Sequence, residues 1–170
     1  MLRWIIRRKL DSEEKKLGGS MDYLRHIVDT SPTAFFRFAS ILPFANSRKT
    51  LPNEAWFAAQ LISVQNEDCG PCLQITVNLA KQAGLDATFI GAVLERRNED
   101  LPSNIVDVIE FTAVAASGSD DPSTRNRLRE CYGERGLVEL AYAIASSRIP
   151  PTVKRVLGYA ESCSAIPVEL

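Results

Sequence analysis

A single histidine, four cysteines and a net charge of −1 are all that 170 residues offer to chemistry built on imidazole, thiol clusters or basic faces. Acids and bases are interspersed, so no broad basic face exists to neutralise phosphates, which argues against nucleic acid binding. His26 lies among apolar Tyr23, Leu24, Ile27 and Val28 and reads as a satisfied helix residue rather than a metal ligand. Strand alternation is hard to find, and no fixed-period repeat or low-complexity segment is present. The start "MLRWIIRRKL" is basic like a targeting region, but its apolar part is too short for a secretory segment or a membrane span. The expectation is an amphipathic first helix in a cytoplasmic protein without stable membrane insertion. Trp4, Ile5 and Ile6, flanked by basic residues, leave membrane-surface contact as a second reading. Without a secretory leader, four cysteines do not suggest a disulfide framework.

What is present is a globular mixture, 45% apolar and 24% charged, in a chain long enough to bury about 70% of its unfolded surface. Apolar residues recur at helical spacing throughout, so the fold class is all-α, with about eight to ten helices at ordinary length. "DTSPTAFFRFASILPFAN" offers Ser31 as an N-cap and Pro32 at the first helical position, with Phe35, Phe36, Phe38, Ile41 and Leu42 expected in the core. A helix from about Pro52 to Gln65 runs into "NEDCGPCLQITVNLAKQAG", whose own helix opens at the Cys pair and stops at Gly84. Asp86 and Ser103 are expected to cap the next two helices. The tail is expected as two helices divided at Pro150-Pro151, with Gly158 inside the second for close packing.

Cys69-Gly70-Pro71-Cys72 carries the chemistry. A helix N-terminus favours thiolate, because unpaired N–H groups and the helix dipole stabilise negative charge there. Two intervening residues bring the sulfurs within reach of each other, so a mixed disulfide on either one can be resolved intramolecularly; the helix end favours Cys69 as the attacking sulfur, and the two are not ranked. Glu67 and Asp68 act in the opposite sense, raising the cost of a nearby thiolate. Zinc is the competing use of this spacing, but a second ligand pair is missing; Cys131 and Cys163 stand alone and are expected as core thiols. No metal and no cofactor are expected.

The stretch "EAWFAAQLISVQNEDCGPCLQITVNLAKQAGLD", with "VIEFTAVAAS" and "GLVELAYAIASSRIPPTVKRVLGYA" after it, resembles the carboxymuconolactone decarboxylase superfamily, in particular its alkylhydroperoxidase AhpD-like branch. The resemblance covers about Leu51 to Gly158. It implies an all-helical, self-associating AhpD-like bundle over 51–170, with 1–50 a helical extension packed on it as one structural domain overall. It also implies a redox Cys pair that reduces peroxides or exchanges disulfides with a protein partner. The family pattern is Glu, eleven residues, Cys, two residues, Cys, three residues, His. Here Cys69 and Cys72 match, while Phe57 and Thr76 occupy the Glu and His positions, so the proton relay does not carry over. Glu54 and Gln60, one turn either side of Phe57, join Glu67 and Asp68 as candidates to tune the pair. Positioned acid–base groups contribute about 10² to 10⁴ in rate, so disulfide exchange is expected ahead of efficient peroxide reduction.

Three rivals stand beside this reading. Thioredoxin-like folds share Cys-Gly-Pro-Cys but need strands around it. Decarboxylation lacks a cationic cluster, since Arg148 and Arg155 look scattered. The third is a non-enzymatic helical assembly module with an inert Cys pair and the phenylalanines 35, 36, 38 and 44 as an interface.

Overall fold

The computed structural model describes residues 1–160 and 168–170; the side chain of Leu42 and Cys163 lie outside the described residues. Among them are nine α-helices, one 3₁₀ turn and no strand. The helices are α1 (Leu2–Leu17), α2 (Asp22–Thr30), α3 (Pro32–Ala39), α4 (Leu42–Ala45), α5 (Asn53–Asn66), α6 (Gly70–Gln82), α7 (Ala87–Glu95), α8 (Ser103–Ala116) and α9 (Pro122–Leu157), with the 3₁₀ turn at Asn98–Asp100.

Helix α5 is the axle. Residues 55–59 and 61–64 are all buried, the pattern of a helix apolar on every side, and α6, α7, α8 and α9 pack around it. Leu61, Ile62, Ile90, Ile109, Leu128 and Leu140 form the deepest part of this core, and Cys69 and Cys72 belong to it. A second, smaller core joins Ile6, Leu10, Met21 and Val28 from α1, α2 and the loop between them, with Ile75 of α6 packed against it.

Local signals hold at several ends. Ser31 accepts a hydrogen bond from Ala34 N (3.2 Å), and Asp86 from Phe89 N (2.8 Å). Gly84 adopts φ +92° just past α6, where a left-handed residue lets the chain turn back.

Other expectations are corrected. Pro102, extended at ψ 144°, is the cap of α8 and Ser103 is already inside it, with no side-chain capping bond. Prolines 150 and 151 do not divide the tail; they lie inside α9, whose one non-helical residue is Gly133 at φ 71°. Ser147 before the prolines and Thr152 after them donate their hydroxyls to the carbonyls of Ala143 (2.7 Å) and Arg148 (2.8 Å), one turn back in each case, and Pro151 is buried. Gly158 ends α9 at φ +78° as a left-handed cap, and a Cβ there would meet nothing within 4 Å, so close packing is not its role. Helix α3 contains no fully buried residue: Phe36 is 51% exposed, while Phe35 packs on the second core and Phe38 sits edge-on to Tyr23, so the segment flanks that core rather than forming it. Cys131 is exposed rather than buried.

Candidate active site

The turn from α5 to α6 is made by three residues of different conformation. Glu67 ends α5 in helical geometry, Asp68 takes φ +49°, and Cys69 is extended as the N-cap of α6. Aspartate is among the few non-glycine residues that enter the left-handed region readily, so the acid at this position serves the turn. Glu67 N and Asp68 N reach back to Val64 O and Gln65 O, both at 3.1 Å, and Leu73 N to Cys69 O at 2.9 Å begins α6. Pro71 falls in the first turn, where its missing N–H leaves nothing unpaired.

This geometry brings Cys69 and Cys72 into a disulfide, with Cα atoms 5.3 Å apart. Cys69 is fully buried and Cys72 retains 6% exposure, so the second sulfur's residue is the one that touches solvent. Phe57 is buried in α5. Thr76 donates its hydroxyl to Cys72 O at 2.9 Å, within its own helix. Neither residue supplies a proton-transfer group at the position where the AhpD-like pattern has one.

The acid beside the pair is neutralised by groups from the far end of the chain. Arg148 donates from Nε to Glu67 Oε1 at 2.7 Å, and Arg155 donates from one nitrogen to Oε2 at 3.3 Å and from another to the Glu67 carbonyl. Burial alone would raise the Glu67 carboxyl, but the hydrogen bonds and charges of Arg148 and Arg155 outweigh it and hold the group below the usual carboxylate range. The repulsion expected between Glu67 and a thiolate is therefore offset where it would act. The arginines sit seven residues apart, two turns on one face of the part of α9 that follows the kink at Gly133 and runs on through the prolines. That spacing was the signal available in the sequence; reading a break at Pro150-Pro151 hid it.

Of the other tuning candidates, Asp68 adjoins Cys69 in the turn. Glu54 is exposed in the first turn of α5, about 20 Å along the axis from Glu67, and Gln60 is half-buried about 10 Å along it. Among the described residues neither makes a hydrogen bond to the pair. His26 is exposed, its Nδ1 3.1 Å from the Tyr159 hydroxyl, in a polar cleft with Arg7, Arg25 and Asp29. No cluster of three or more His, Cys, Asp or Glu able to hold a metal occurs among the described residues.

An apolar groove of about 360 Å³ runs between α8 and α9, walled by Phe111, Ala115, Leu137 and Ile144, with Arg125 and Arg148 also lining it. Arg148 thus joins the groove to Glu67 and the turn that carries Cys69.

No family model and no curated protein matches the sequence. Among solved structures, a cysteine-to-alanine variant of the debrominase Bmp8, in complex with 2,3,4-tribromopyrrole, is similar to this chain. Its TM-score is 0.74 at 17% identity, over 88% of this chain and 81% of that one. At that identity the likeness shows the fold alone, an all-helical arrangement.

Proposed function

We propose that the chain is a thiol-dependent oxidoreductase that cycles Cys69 and Cys72 between dithiol and disulfide. The observation that carries this reading is the disulfide at the start of α6 beside an acid already neutralised by Arg148 and Arg155. In the reductive half-cycle a partner thiolate attacks one sulfur, the S–S bond breaks, and the departing sulfur leaves as a thiolate that takes a proton. A second partner thiol then attacks the mixed disulfide, leaving two protein thiols and a partner disulfide. Both cysteines are buried, Cys72 slightly less than Cys69, so the attack falls on Cys72 once the turn opens, and the N–H groups at the start of α6 stabilise the thiolate that leaves. The extension formed by residues 1–50, the domain over 51–170 and self-association belong to the same proposal.

The test is a glutathione redox titration read by mass after alkylation, with Cys69→Ser/Cys72→Ser as control. A reversible two-electron transition between about −180 and −300 mV is the expected result. A pair that exchanges only after the protein unfolds would make it an inert element of a helical assembly module.

The groove beside Arg148 favours a second reading, reductive dehalogenation of a small aromatic molecule. The balance is one aromatic C–Br bond and two thiols giving C–H, the Cys69–Cys72 disulfide, bromide and a proton. Release of bromide from 2,3,4-tribromopyrrole by the reduced protein, absent from the double serine variant, distinguishes it from disulfide exchange.

A further inference from the structure

The first turn of α1 exposes apolar side chains that the fold leaves uncovered. Leu2, Trp4 and Ile5 are 52%, 58% and 53% exposed, while their neighbour Ile6 is buried and docks the helix onto the second core. An exposed tryptophan beside two exposed aliphatic residues is a concentrated patch, in contrast with Trp56, which is 4% exposed.

The charge that the first nine residues themselves carry is of one sign. Arg3, Arg7, Arg8 and Lys9 fall in the first nine residues with no acid among them; removing these four from 20 cations leaves 16 against 21 acids, so the rest of the chain carries −5. Arg7 pairs with Asp29. Of the three acids that follow in α1, Asp11 and Glu14 both bind Arg25, and Glu13 lies one helical turn beyond Lys9. Arg8 lies over the Trp4 ring, 4.8 Å from its centroid, which keeps a cation at the rim of the apolar surface.

We propose that this turn docks the protein peripherally on a bilayer surface bearing anionic headgroups. Leu2, Trp4 and Ile5 enter the headgroup–acyl boundary while Arg3, Arg8 and Lys9 meet the phosphates. The pattern fits an interface on both counts: an indole and aliphatic groups that favour the boundary, and cations that favour an anionic leaflet. No helix among the described residues is long and apolar enough to cross a membrane, so the contact is superficial.

Co-sedimentation with vesicles of phosphatidylcholine and phosphatidylglycerol, against vesicles of phosphatidylcholine alone, tests it on the full chain. Binding is expected only to the anionic vesicles at low salt, with a blue shift of fluorescence assignable to Trp4 because Trp56 is already buried. Each surface cation contributes about fivefold, so Arg3→Gln/Arg8→Gln/Lys9→Gln lowers the partition coefficient about a hundredfold. Trp4→Ala abolishes the blue shift. These side chains are exposed, and circular dichroism confirms that each variant remains folded. Failure to sediment with anionic vesicles, or equal binding to both vesicle types, overturns the proposal. If Trp4→Ala changes the oligomeric mass without lipid and leaves sedimentation unaltered, the patch is instead a contact between copies of the chain. None of these readouts depends on the Cys pair.

Discussion

The two hydrophobic assemblies of this protein are held in different ways. The larger one, around α5, is mostly apolar; of the buried hydroxyls around it, those of Ser63 and Thr112 have no hydrogen-bond partner among the described residues, whereas that of Thr76 bonds Cys72 O. The smaller one, under α1 and α2, has four buried residues and is laced by Arg25 to Asp11, Glu14 and Asp22 and by Arg7 to Asp29. Desolvated area dominates the first, whereas the second, with only four residues in its buried cluster, leans more on half-exposed ion pairs that salt weakens. The Cys pair is built on the robust side, at the boundary where Ile75 of α6 reaches into the weaker one.

The sharpest way to test that contrast is Leu61→Ala, which removes a fully buried side chain from the centre of α5. It should cost about 3 kcal/mol in denaturant unfolding, and a loss under 1 kcal/mol would mean the large core relaxes as readily as the small one.

Next comes Glu139, a carboxylate on α9 that accepts backbone N–H bonds from Lys49 (2.9 Å), Thr50 (2.8 Å) and Leu51 (2.7 Å) and pins the loop between the two regions. Burial would raise this carboxyl, but those N–H bonds, with help from Arg135, hold it below the ordinary Glu value. A depressed pKa contributes stability that is fully present above the unfolded value of about 4.3 and is lost as pH falls through the lower, folded value. Glu139→Gln should therefore cost about 2 kcal/mol at pH 7 and flatten the acid limb of stability against pH; an unchanged acid limb would assign that slope to other carboxylates.

A smaller effect is expected at Gly19, where a Cβ would lie 2.5 Å from Ile75 Cγ1 and 3.0 Å from the Pro71 carbonyl oxygen. Gly19→Ala should lose about 1.5 kcal/mol and, because Pro71 lies between the cysteines, alter their alkylation rate; a variant with native stability and rate would show the two regions to be independent. Smallest of all, Phe36→Ser on exposed α3 should stay within about 0.5 kcal/mol by thermal unfolding, and a larger loss would place Phe36 in a packed contact.

How much was legible follows from the range of each interaction. Ser31 and Asp86 were readable because a cap is completed within three residues. Phe36 misled because an aromatic at helical spacing says that a face is apolar, not that something covers it; Phe35 and Phe38 of the same helix are partly covered. Pro150 and Pro151 misled because a proline's local cost can be outweighed by anchors on both sides: Pro151 is buried, and Arg148 and Arg155 both grip Glu67.

By itself the sequence determined the helical class, a helix from about Pro52 to Gln65 and the Cys pair at the start of the next one, since propensity, periodicity and short spacing act within a few turns. Only the tertiary structure decided the electrostatic setting of that pair. Arg148 and Arg155 lie 81 and 88 residues from Glu67, and a charge's effect depends on distance in space, which no local pattern encodes.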